Sequence, residues 1–184
     1  MRCNIFSALV PQADDDQSES PIVLVGFMGS GKSRIGELLA KRLDLPFADS
    51  DAEVAKAFGM TIPEIFETLG EATFRDAERA TISGLLGDGA KVIAIGGGAF
   101  VDPVTRESLL QSARTVWLDP PFEIIAARIS RSDHRPLAVI RSRDQLQQLW
   151  EHRRPGYAGA QFRIESGDDD PERAVDRIVS LLRN

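Results

Sequence analysis

GFMGSGKS at residues 26–33 decides the fold. It fits the pattern G-x-x-x-x-G-K-[ST], in which a glycine-rich loop wraps backbone N–H groups around phosphate oxygens. The flanks agree with the pattern. Ile22-Val23-Leu24-Val25 precedes it, an apolar, β-branched run of the length of a buried strand. Lys32 to Leu43 follows, with Ile35, Leu38, Leu39 and Leu43 spaced to share one helix face. Strand, loop and helix in this order aim a helix N-terminus at an anion. Gly29 and Gly31 allow backbone angles that a side chain would oppose. Lys32 can reach β- and γ-phosphates, and the Ser33 hydroxyl can ligate Mg²⁺.

Outward from this unit, strand and helix signals alternate. Leu45–Ala48 reads as a short strand ending at Asp49, and Ala52–Phe58 as a helix stopped by Gly59. Thr61-Ile62-Pro63-Glu64 resembles a capping box that opens a helix ended by Gly70. A longer helix runs from about Glu71 to Leu86. Val92–Ile95 reads as a second buried strand and runs into Gly96-Gly97-Gly98. Pro103–Leu110, Phe122–Ile129 and Ser142 to about Arg153 read as helices. Thr115–Leu118 and Phe162–Ile164 read as strands. Asp170-Pro171 starts the last helix, with proline in its favoured first turn. Residues 1 to about 20 are expected to form a disordered or weakly attached leader, since Asp14 to Ser20 is a polar run without periodicity. Phe66, Leu69, Leu85 and Leu86 are expected in the core. The alternation implies an α/β domain over 21–184, a parallel sheet covered on both faces.

Composition narrows the function. The chain has 184 residues, 42% of them hydrophobic, and a formal net charge of −6. That charge argues against a nucleic-acid or membrane-surface binder but not against nucleotide binding. Cys3 is the single cysteine, which excludes an intrachain disulfide and suits the cytoplasm. No apolar run reaches the roughly 18 residues of a membrane helix.

Ligands of a parallel sheet bind beyond the carboxyl ends of its strands. Those ends carry the 26–33 loop, Asp49-Ser50-Asp51, Gly96-Gly97-Gly98 and a basic loop from Ser130 to Arg141. Asp49 and Asp51 offer hard oxygens for an Mg²⁺ site and a group to orient or deprotonate an attacking hydroxyl; the same residues can be simple turn and cap residues. Arg128, Arg131 and Arg135, with His134 beside them, lie on or near a loop that can close over triphosphate. Arg75, Arg153 and Arg154 sit in helical contexts, where a convergent pair would suit a small carboxylated acceptor. His134 and His152 show no metal-binding pattern.

The chain resembles the shikimate kinases. The likeness rests on GFMGSGKS at 26–33, DSDAEV at 49–54, GEATFRDAE at 70–78, GGGAF at 96–100, RPL at 135–137 and RRPGY at 153–157. It implies a three-layer P-loop kinase fold: a five-stranded parallel sheet flanked by helices, a substrate-binding segment at about 50–80 and a lid at about 130–143. It implies ATP-dependent phosphorylation of the shikimate 3-hydroxyl by a cytoplasmic monomer. By resemblance, Gly29, Ser30, Gly31, Lys32, Ser33 and Arg34 hold the phosphates, while Arg128 and Pro171 sandwich the adenine. Ser33 and Asp49 serve Mg²⁺. Asp51, Arg75, Gly96, Gly97, Gly98 and Arg153 hold the acceptor. Lys32, Asp51 and Arg135 are the catalytic set, and Arg135 also contacts ATP. The chain departs from the family pattern at Gly156, at Ala158-Gly159-Ala160-Gln161 and at Gly167-Asp168-Asp169-Asp170, all at the edges of these sites. Two rivals stay open: a kinase for another small polyol acid such as gluconate, and a nucleotide-binding regulatory protein without turnover.

Overall fold

The computed structural model describes residues 20–131, 142–167 and 170–183. The leader, His134, Arg135 and most of the lid segment lie outside them.

Five parallel strands form the sheet: β1 (Ile22–Val25), β2 (Phe47–Asp49), β3 (Val92–Ala94), β4 (Arg114–Leu118) and β5 (Phe162–Ile164). Their order is β2-β3-β1-β4-β5. The central β1 pairs with β3 in the register Val23↔Ile93 and with β4 in the register Val23↔Thr115. Seven α-helices cover the sheet among the described residues: α1 (Lys32–Leu43), α2 (Ser50–Phe58), α3 (Ile62–Gly87), α4 (Pro103–Ser112), α5 (Phe122–Ser130), α6 (Arg143–Tyr157) and α7 (Pro171–Leu182). A 3₁₀ turn spans Ala99–Val101.

Side chains alternate across a strand, so β1 feeds two cores. Ile22 and Leu24 pack with Ile35 and Leu39 of α1 and with Val175 and Ile178 of α7. Val23 and Val25 pack with Ile82, Leu109, Ile125, Leu146 and Tyr157 from α3 to α6. A third, smaller cluster of Val54, Ile65 and Phe74 joins α2 to α3.

Most local signals are realised. Thr61 and Glu64 form the expected capping box, and Asp170 caps α7 through the Glu172 N–H. Gly70 breaks α3 into two arms, with φ 84° and ψ 164°, where L side chains are disfavoured. Two expectations fail. Leu69 is exposed rather than core, because it lies one turn past buried Ile65 at the Gly70 break, and the apolar cluster is continued by Phe74 on the second arm instead. The helix expected to end near Arg153 runs through Pro155 to Tyr157. Proline costs one helix hydrogen bond, but tertiary contacts on either side of it hold the last turn.

Candidate active site

The 26–33 loop places the N-terminus of α1 at the end of β1. Gly31 is the residue before the helix, with φ 96°, a conformation that glycine adopts without strain. Lys32 Nζ donates to the carbonyls of Gly26 (2.9 Å) and Phe27 (3.0 Å) across the mouth of the loop. Arg128 of α5 donates to the carbonyls of Gly29, Ser30 and Gly167. It therefore ties the loop to the segment before α7. A cleft of about 230 Å³ opens there, lined by Gly29, Gly31, Arg34, Arg128, Gly167 and Pro171. Arg128 and Pro171, assigned to one adenine by resemblance, thus share one cleft.

Asp49 has two jobs at once. Its Oδ1 caps α2 by accepting from the Asp51 and Ala52 N–H groups, and its Oδ2 accepts from the Ser33 hydroxyl at 2.6 Å. Hence the cap and the metal roles weighed from the sequence are compatible. Among the described residues no group of three or more His, Cys, Asp or Glu could hold a metal ion. Mg²⁺ fits the donor set nonetheless, since it takes one or two protein oxygens and fills its shell with water and phosphate; Ser33 Oγ and Asp49 Oδ2 are such a pair.

The acceptor side is built around Gly96-Gly97-Gly98. Gly96 donates its N–H to the buried Ser50 hydroxyl at 3.1 Å. A Cβ on Gly96 would collide with Glu78 Oε1 and Asp51 Oδ1, and one on Gly98 would lie 2.7 Å from Arg75 Nη1. Gly96 and Gly98 thus leave room for functional side chains that close on the turn, while Gly97 lies against the backbone of Met28 and Gly26. Arg75 donates to buried Glu78 at 2.7 Å and also pairs with Glu71 at 3.3 Å. Arg153 comes from the far side, with Nη1 3.7 Å from the Cβ position of Gly97 and its guanidinium over the Phe27 ring. Arg75 and Arg153 both pull the Glu78 carboxyl down while burial raises it, so both cations face the same carboxylate. Among the described residues, buried Asp51 Oδ1 has no hydrogen-bond partner. Burial first, then the charges of Asp49 and Glu78, push the Asp51 pKa up to about 6, against the pull of Lys32 and Arg75. A carboxylate at that value is ionised at neutral pH yet basic enough to take a hydroxyl proton.

Arg154 parts company with Arg153: it pairs with Asp119 instead. Glu78, Ser50 and Asp119 come in through contacts that their sequence neighbours do not announce. The three-residue spacing of Arg75 and Glu78 on a helix was a signal for their pairing; nothing local marks Ser50 or Asp119. Tyr157, the last residue of RRPGY, is buried and donates its hydroxyl to the Gly97 carbonyl. Burial raises its pKa to about 12, so it serves as a fixed donor.

A family model for shikimate kinase matches residues 28–183. The shikimate kinase of Caulobacter vibrioides (strain NA1000 / CB15N) is 48% identical over 165 residues, covering 88% of this chain and 82% of its own. Among solved structures, the shikimate kinase of Acinetobacter baumannii in complex with shikimate superposes with a TM-score of 0.85 at 36% identity, covering 90% and 94% of the two chains. That of Aquifex aeolicus vf5 gives 0.79 at 37%, covering 89% and 96%.

Proposed function

The chain belongs to the shikimate kinase family and phosphorylates shikimate with ATP, and we propose how its residues divide that work. The observation that carries the division is the convergence of Asp51, Arg75 and Arg153 on the Gly96–Gly98 turn, beside the strand end that bears Lys32 and Ser33. Arg75 and Arg153 form a cationic cradle for the shikimate carboxylate. The acceptor ring then lies against the glycine backbone, with its 3-hydroxyl toward Asp51. The hydroxyl oxygen attacks the γ-phosphorus, the bond to the β-bridging oxygen breaks, and Asp51 accepts the hydroxyl proton.

Gly29, Ser30, Gly31 and Arg34 hold the phosphates, with the N-terminal dipole of α1 favouring their charge. Lys32, at the mouth of the loop, moves its charge from the Gly26 and Phe27 carbonyls onto the β- and γ-phosphates. Arg128 and Pro171 flank the adenine. Mg²⁺, held through Ser33 and the waters of Asp49, would offset phosphate charge when bound. Arg135, by its place in RPL, completes the charge stabilisation of the transferred group. Most of the acceleration then comes from positioning and fixed charge. The α2–α3 cluster of Val54, Ile65 and Phe74, separate from the two main cores, supports a distinct substrate-binding segment at about 50–80. We also assign the enzyme to the cytoplasm as a monomer, in keeping with its lone cysteine.

A coupled ADP-release assay with and without shikimate tests the assignment, and a panel including gluconate separates the rival acceptors. ATP binding without acceptor-stimulated ADP formation would favour the regulatory protein. Arg153→Ala is expected to raise KM for shikimate roughly tenfold or more, the worth of a charge-assisted hydrogen bond, and to leave KM for ATP nearly unchanged. Equal loss of both would contradict its role. Gly98→Ala should act in the same direction by pushing Arg75 aside, and kinetics like those of the unaltered protein would show that Arg75 does not need that space.

A further inference from the structure

Outside this site, two tryptophans and two arginines gather around one buried carboxylate at the end of β4. The Asp119 side chain is 3% exposed. Its Oδ1 accepts from Arg154 Nε at 3.2 Å, and its Oδ2 from Arg154 Nη2 at 2.6 Å. The same Oδ2 accepts from Arg163 Nε at 3.0 Å and pairs with Arg163 Nη2 at 2.7 Å. The Arg154 guanidinium lies 5.5 Å from the ring centre of Trp117 and 5.2 Å from that of Trp150. Arg163 lies 5.0 Å from Trp117.

Arg154 stands between Arg153 and Pro155, where the proline removes a helix hydrogen bond and loosens the last turn of α6. Two tertiary anchors flank this weak point. On one side is the forked Arg154–Asp119 pair. On the other, Tyr157 packs 6.1 Å from Trp117 and donates to the Gly97 carbonyl. Neighbouring residues on a helix point about 100° apart, so the bond that fixes Arg154 against the sheet also fixes the direction of Arg153. Burying ions is a poor route to stability. A bidentate guanidinium–carboxylate pair instead supplies orientation.

We propose that Asp119 and Arg154 are positioning residues for the acceptor site: their pair fixes the proline-interrupted end of α6 and so sets where Arg153 points. The proposal rests on Arg153 holding the shikimate carboxylate. Arg163 keeps Asp119 paired when Arg154 is removed, so Arg154→Gln is expected to fold.

The test is steady-state kinetics on the full chain. Arg154→Gln should raise KM for shikimate about tenfold, as small misplacements of a binding group do, with KM for ATP changing less than about twofold. Arg154→Lys, which keeps charge but lacks the fork, should recover only part of the loss. Trp117 and Trp150 are the only tryptophans, so a shikimate titration read by their emission should show the same rise in Kd. If Arg153→Ala weakens shikimate binding but Arg154→Gln lowers only the melting temperature, the positioning role is overturned and the role of Arg153 stands. If Arg153→Ala itself leaves shikimate binding intact, the assignment of Arg153 fails first and the positioning role with it.

Discussion

Asp51→Asn is expected to lose turnover by about 10²–10⁴, the usual contribution of a positioned general base, and yet to give a protein that is harder to unfold. The two effects share one cause. Asp51 is buried, and burial first, then the charges of Asp49 and Glu78, raises its pKa from 3.8 to about 6. Well below pH 3.8 the carboxyl is protonated whether the chain is folded or not. As pH rises the unfolded chain ionises first, so the folded state loses stability until pH passes about 6. The loss is bounded at roughly 3 kcal/mol, two pKa units at 1.36 kcal/mol each. An asparagine carries no charge and avoids it. At pH 8 the variant should therefore melt several degrees higher, at roughly 2–4 °C per kcal/mol for a chain of this length. At pH 4 the difference should shrink toward zero. Activity of the unaltered enzyme runs the other way, with kcat/KM rising through about pH 6 as Asp51 ionises. Thermal unfolding without ligands at both pH values, together with an ADP-release assay, measures all of this. A variant no more stable than its parent at pH 8 would show that Asp51 is not held at a cost.

The part of the site legible in the sequence is the part whose chemistry is local along the chain. The 26–33 loop announces itself because its chemistry is local: a glycine turn, a lysine and a hydroxyl follow one another along the chain. Asp49 and Asp51 are marked by their place after a strand, as are Gly96, Gly97 and Gly98. The five-stranded sheet follows from the alternation of strand and helix signals. What stayed hidden depends on contacts between distant segments. Gly96 matters because Glu78 and Asp51 press against it, and those come from two other helices. Asp119 looks like an ordinary residue after a strand until Arg154 and Arg163 arrive from 35 and 44 residues away. Local propensity stops a helix at proline, yet the last helical turn before β5 crosses Pro155 to Tyr157. The anchors that carry it onward are tertiary.

Removing Arg75 should separate its binding role from its structural one. Glu78 has a side chain 3% exposed, and its short bond is to Arg75 at 2.7 Å. Arg75→Ala takes away the hydrogen-bonded cation of this buried carboxylate and leaves only the pull of Arg153 and Arg79, a change that costs up to about 3–5 kcal/mol, the range for a buried pair broken from one side. The partner on the other flank, Glu71, is exposed, and losing it costs at most about 1 kcal/mol. Burial already raises the Glu78 pKa against the pull of Arg75, and losing Arg75 raises it further. The destabilisation therefore grows as pH rises through the folded-state pKa of Glu78, and it fades in acid, where the carboxyl is neutral in both states. Unfolding by urea at pH 8 and pH 4.5 should show a large deficit in the first case and a small one in the second. The double variant Arg75→Met with Glu78→Leu removes both charges and should regain most of the lost stability. It should not regain shikimate affinity, which should stay about tenfold or more below that of the parent because a cation of the carboxylate cradle is gone. A double variant that is restored in stability and still binds shikimate normally would leave Arg75 with a structural role alone, and Arg153 as the sole anchor.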